Sequence, residues 1–144
     1  NMTSTIVYEG NLRTVCTHVK SGSQIQTDAP TDNQGKGERF SPTDLLATSL
    51  GVCAMTIMGI KARDMNVDLA GTRIEVEKIM KADPRRVGGI NLTFHFPETV
   101  LAEEKQRTII ERCAYTCPVF YSIHPDIELN IQFEWNRETE KVKL

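Results

Sequence analysis

Basic runs, a phosphate-binding glycine loop, internal repeats and bilayer-length apolar stretches are all missing from this sequence, and each absence closes off a class of function. With 17 Lys and Arg against 19 Asp and Glu, and no run of the basic ones, the chain lacks the clustered positive charge that nucleic acid or an anionic membrane selects. Neither is expected as a partner. "GKGER" at residues 35–39 has glycines and a lysine, but not the P-loop spacing, and no strong apolar strand precedes it. The longest uncharged stretch, residues 45–60, is interrupted by Thr48, Ser49 and Thr56 and is shorter than the roughly 20 residues that cross a bilayer. The first residues lack a charged segment followed by an apolar one, so no secretion signal and a cytoplasmic location are expected.

What is present fits one domain over residues 1–144, long enough to bury a core without disulfide or metal. In a reducing cytoplasm its four cysteines are then free, metal-bound or redox-active rather than a structural framework.

Residues 6–26 read as strand, with "SGS" at 21–23 as a hairpin turn. Arg13, Val15, Thr17 and Val19 share one face there. If that face is covered, Arg13 requires an acidic or polar partner; otherwise it is a solvated edge residue. "TDAPTDNQGKGER" is a loop by composition. Ser41 then serves as N-cap, Pro42 opens a helix and Asp44 complements the helix dipole. Apolar residues cover nearly its whole circumference over 45–60, which predicts a central buried helix that a second subunit helps to cover.

After Gly71 come "TRIEVEKIMK" and "INLTFHF", the latter with Ile90, Leu92, Phe94 and Phe96 on one side and a solvated His95 on the other. A second helix is predicted over about 98–115. "DIELNIQFEW" closes the fold, with Ile127, Leu129, Ile131, Phe133 and Trp135 inward. The charged tail "NRETEKVKL" is expected to be peripheral. The order of elements implies an α+β fold with helices on one face of antiparallel sheet.

Two cysteines stand in contrasting settings. Pro118 drives Cys117 out of helical geometry and suits the first position of a short helical turn, "PVFYSI". The Cys117 sulfur then lies at a helix N-terminus, which favours thiolate and lowers its pKa; the bland alternative is an inert buried thiol. Cys53 lies some three turns into its helix, beyond reach of the dipole, and is silent unless a cation is near. Arg39 is about 20 Å away along a straight helix, whereas Arg13 on a packing strand is geometrically freer. Cys113 is four residues from Cys117, but Pro118 breaks the register between them. Cys16, His18, Cys113, Cys117 and His124 match no standard zinc spacing.

"RFSPTDLLATSLGVCAMTIMGI" followed by "CAYTCPVFYSIHPDIEL" resembles the OsmC/Ohr superfamily, the osmotically inducible and organic hydroperoxide resistance proteins, over nearly the whole chain. The resemblance implies an intertwined homodimer in which antiparallel sheets enclose the central helices. It also implies thiol peroxidase chemistry without a bound cofactor or metal. Cys53 is matched to the attacking thiol, Cys117 to the resolving thiol that closes a disulfide with it, and Arg13 to the strand arginine. The substrate is a small hydroperoxide, and an external dithiol, possibly of lipoyl type, restores both thiols. Leu45, Leu50, Met55 and Phe120 are candidates for a greasy entrance. Hydroperoxide resistance proteins typically carry a glutamate directly after the helix-opening proline, paired with the arginine; this chain has Thr43 there and Asp44 next, so Asp44 is the candidate anchor of Arg13, from a different angle. A non-catalytic dimeric module binding a small apolar or thiol-bearing ligand is the alternative function, and a structural zinc protein the third.

Overall fold

The computed structural model describes residues 1–135; the tail "NRETEKVKL" lies outside the described residues. The chain forms two compact units, Asn1–Leu46 and the remainder from Ala47 onward. The first is an antiparallel meander of β1 (Ser4–Gly10), β2 (Arg13–His18) and β3 (Gln24–Asp28). Asn11 and Leu12, both at positive φ, turn the chain between β1 and β2. Residues 19–23 join β2 to β3, with Gly22 at φ +77° and its N–H donating to His18 O. The turn falls where "SGS" predicts it, and strand structure continues two residues past Gln26. A 3₁₀ turn (Thr31–Asn33) and a loop then lead to α1 (Pro42–Asp64), whose first turn belongs to this unit.

Helix α1 starts as its sequence predicts. Ser41 Oγ accepts the Asp44 N–H at 3.1 Å and Asp44 Oδ2 accepts the Ser41 N–H at 2.9 Å, a reciprocal cap that satisfies two otherwise orphaned donors. Within the second unit, Ala47, Leu50, Gly51, Ala54, Met58 and Ala62 form the buried stripe at helical spacing. Ideal Cβ placement at Gly51 meets Val76, Leu92 and Ile74 at 3.4–3.6 Å, so this stripe lies directly on the sheet. Contrary to the expectation from its uncharged stretch, α1 as a whole is long and apolar enough to cross a bilayer by length and composition, although its buried stripe packs on the sheet. Burial all round the helix, as its composition predicts, is not what one chain provides: Val52 and Ile60 are exposed, because a single sheet covers a single side.

That sheet comprises β4 (Arg73–Lys81), β5 (Arg86–His95) and β6 (Glu128–Glu134), in the order β4-β5-β6. Ile90, Leu92, Phe94 and Phe96 are buried, and β6 alternates as predicted, with Trp135 buried and stacked on Phe96. The α+β class holds, with one difference in the strands. β4 and β5 are antiparallel, but β6 joins β5 in parallel, because the intervening chain crosses over through two helices and returns in the same direction.

Those helices are α2 (Glu104–Cys113) and α3 (Pro118–Ser122). α2 begins six residues later than the apolar pattern suggests. A capping box between Glu103 and Gln106 fixes its start, and Val100 anchors the preceding loop through a turn to Pro97 O. His95, predicted to be solvated, is instead half-buried between two carboxylates, Glu75 on Nε2 and Glu134 on Nδ1.

Candidate active site

The second unit brings two of the sequence-predicted residues together. Cys53 is in the middle of α1 and Cys117 caps α3; both are free thiols, and they are near enough for Cys53 to act on the Cys117 thiol electrostatically. Cys117 is extended (φ −79°, ψ 151°), as the following proline requires, and Pro118 occupies the first turn. Its Sγ accepts the Phe120 N–H at 3.3 Å.

The predicted lowering of the Cys117 pKa does not follow from this arrangement. Burial pushes the Cys117 thiol up, the N–H groups of Phe120 and Val119 act against that rise, and the neighbouring Cys53 thiol adds to it. A five-residue helix contributes few aligned peptide dipoles, and a sulfur with no solvent exposure loses more by desolvation than two N–H groups return. Cys53 is only partly buried. Two thiols so arranged can exchange between a dithiol and a disulfide, the more accessible one meeting an oxidant first.

Of the expected apolar lining, Leu50 is fully buried in the core and cannot border an entrance. Met55 borders an open groove of about 820 Å³ between α1 and residues 66–72, and Phe120 packs on the core beside Cys117. Cys113 is half-buried, its Sγ donating to Ile109 O at 3.4 Å on its own helix. Among the described residues no three His, Cys, Asp or Glu side chains converge to hold a metal ion.

In the first unit Arg13 does have acidic partners. Its Nε and Nη2 each donate to one oxygen of Asp28 at 2.8 Å, and Nη2 reaches Glu38 Oε1 at 3.3 Å. The bidentate bond to Arg13 holds the Asp28 carboxyl below the usual range against the opposing effect of burial, and Asp28 in turn raises the Arg13 pKa. Asp44, the candidate anchor of Arg13, closes the α1 cap with Ser41 instead; the carboxylates on the guanidinium are those of Asp28 and Glu38. Arg39 is bonded to Gln26 Oε1 and Glu38 O.

Asp28 is the functional candidate that loop composition hides. The signal was the hairpin register: with Thr17 opposite Gln24, Arg13 falls opposite Asp28.

The match to the family model of OsmC-like proteins covers residues 35–132, and the chain belongs to that family. A Psychrobacter arcticus 273-4 protein, named for osmotic stress induction and a detoxification response, is 52% identical; the alignment covers 93% of this chain and 96% of that one, with a TM-score of 0.89. At 16% identity the fold alone is shared with an organic hydroperoxide resistance protein OsmC from Legionella pneumophila (TM-score 0.70, covering 92% and 97%). The same holds for the organic hydroperoxide resistance protein OhrB of Bacillus subtilis (16%, TM-score 0.65, covering 92% and 98%). None of the curated proteins matches.

Proposed function

We propose that this protein is a thiol-dependent peroxidase that reduces organic hydroperoxides in the cytoplasm. The observation that carries the reading is that the free thiols of Cys53 and Cys117, remote in sequence, are neighbours that interact electrostatically. The Cys53 thiolate attacks the terminal oxygen of ROOH, forming an S–O bond as the O–O bond breaks; the departing RO⁻ takes up a proton from solvent and leaves as ROH, and Cys53 is left as sulfenic acid. The Cys117 thiol then displaces that oxygen as water and forms the disulfide. An external dithiol, of lipoyl type, reduces it, restoring both thiols and becoming a disulfide itself. Full burial and a raised pKa make Cys117 the poorer nucleophile, which supports Cys53 as attacker. The resemblance matches Arg13 to the cation that such a reaction requires beside its thiolate.

The working form is a homodimer. Supporting this, the first unit leaves Ile6, Val7, Tyr8, Ile25 and Phe40 exposed, and α1 leaves Val52 and Ile60 exposed, apolar side chains that a second copy would cover.

A stoichiometric pulse of cumene hydroperoxide is expected to consume two thiols and give a peptide pair linked through Cys53 and Cys117 in non-reducing mass spectrometry. Cys53→Ser abolishes turnover, and Cys117→Ser leaves a sulfenic acid that dimedone traps. Full activity in Cys53→Ser overturns the assignment; unlinked cysteines with a small molecule retained in native mass spectrometry would favour a binding module.

A further inference from the structure

Two tyrosines that bury little of themselves bracket the residue that holds the Cys117 sulfur. Phe120 donates its N–H to Cys117 Sγ at 3.3 Å, and its side chain packs on the core. Tyr115, two residues past α2, meets that ring edge-on, with 6.1 Å between centroids and 83° between planes; Tyr121 meets it at 5.5 Å and 88°. Tyr115 is 43% exposed and Tyr121 70%, so neither ring is fixed by burial in the core. Edge-to-face pairs of this kind attract beyond the area they cover.

α3 is too short to hold itself. Its five residues carry one backbone bond from Tyr121 N–H to Cys117 O at 3.3 Å and one from Ile123 N–H to Val119 O at 3.1 Å, with Ser122 Oγ donating to Pro118 O at 2.8 Å. A single turn does not persist on such bonds and depends on what its side chains touch. Because Cys117 is the N-cap, sulfur and turn are held or released together. We propose that Phe120, clasped between Tyr115 and Tyr121, is the positioning residue of the resolving thiol: the clasp keeps α3 closed and the Cys117 sulfur sealed from water. Closed, it denies Cys117 to molecules in solution and reserves it for Cys53, whose sulfenic hydroxyl leaves as water with the Cys117 proton when the S–S bond forms. That choice of partner rests on the peroxidase reading; the clasp itself does not.

The test compares Phe120→Leu, Tyr115→Leu and Tyr121→Leu with the ring-keeping Tyr115→Phe and Tyr121→Phe, all in the full chain. One readout is the initial rate at which N-ethylmaleimide labels Cys117 in the reduced protein, resolved from the other cysteines by peptide mass spectrometry. The other is the fate of Cys53 after a stoichiometric pulse of cumene hydroperoxide with dimedone present, either a dimedone adduct or the pair linked to Cys117. Loss of one edge-on ring is expected to open the turn about fivefold more often and to speed labelling by that factor, and Phe120→Leu, which loses both pairs, should speed it about twentyfold. The same variants should shift Cys53 towards the dimedone adduct in the same order. Tyr115→Phe and Tyr121→Phe should match wild type in both readouts. If Phe120→Leu does not fold, the two Tyr→Leu variants, at exposed positions, carry the test. Wild-type labelling in folded Phe120→Leu or in both Tyr→Leu variants overturns the proposal, as does labelling of the Tyr→Phe variants as fast as that of Tyr→Leu, or an unchanged partition where both products form. Wild-type protein whose Cys53 gives neither product refutes the peroxidase reading instead, and the maleimide arm then decides the clasp alone.

Discussion

The 46 residues of the first unit and the chain from Ala47 onward handle burial in opposite ways. In the second unit Phe94, Leu50, Met58, Ile90, Leu92 and Ile110 are sealed completely, and the stripe of α1 fits the sheet through Gly51 and Ala54. In the first, the buried residues are Thr27, Asp28 and Ser41, all polar, while Ile6 at 67% and Tyr8 at 62% face outward. One unit is organised by apolar packing. The other is organised by hydrogen bonds and the ion pairs of Arg13 with Asp28 and Glu38, and leaves apolar side chains exposed that another copy would cover in the homodimer proposed above.

The comparison can be broken or sharpened by experiment. The largest effect is expected from Phe94→Ala, which empties the most voluminous fully buried site and should cost about 3–5 kcal/mol, read as a lower denaturant midpoint. Val7→Asp, at an exposed position of β1, should leave the far-ultraviolet circular dichroism unchanged while weakening self-association by at least about tenfold, or about 1.4 kcal/mol, in sedimentation equilibrium. An unchanged association would separate the exposed strand from any interface. Ser41→Ala removes the α1 cap and should cost about 1 kcal/mol of stability. Smallest, and visible only as a slope, is the alkaline limb. Because the folded Cys117 pKa is raised, its contribution is fully present below the ordinary thiol range and is lost as pH rises through the folded value. Cys117→Ala should flatten that limb in a plot of unfolding free energy against pH.

An acid limb belongs to the meander for the opposite reason. With the folded pKa of Asp28 lowered, its contribution is present above the ordinary carboxyl range and is lost as pH falls through the folded value. Thermal melts of wild type and Asp28→Asn should differ less as the solution is acidified.

Local rules made much of this legible in advance. Ser41 and Pro42 mark the start of α1, alternation places Ile90 through Phe96 and the β6 residues, and Pro118 makes Cys117 a cap. What stayed hidden depends on partners distant in sequence. The parallel pairing of β6 is decided by the path of α2 and α3, not by the alternation of β6 itself. Asp28 lies in a stretch whose composition reads as loop, and only its register with Arg13 reveals it. Between the two readings open for Cys117, a thiol acidified by the helix N-terminus or an inert buried one, burial decides, and its depth, unlike the dipole, cannot be read locally.

The nearness of the two thiols bears on wear. In the peroxidase reading, an oxidised Cys53 finds its neighbour already waiting, at an effective concentration that a second hydroperoxide molecule in solution would have to outcompete. Sealing by Cys117 would therefore outrun further oxidation to the irreversible sulfinic acid, and the protein would survive a burst of oxidant that poisons enzymes whose thiols must first travel to meet.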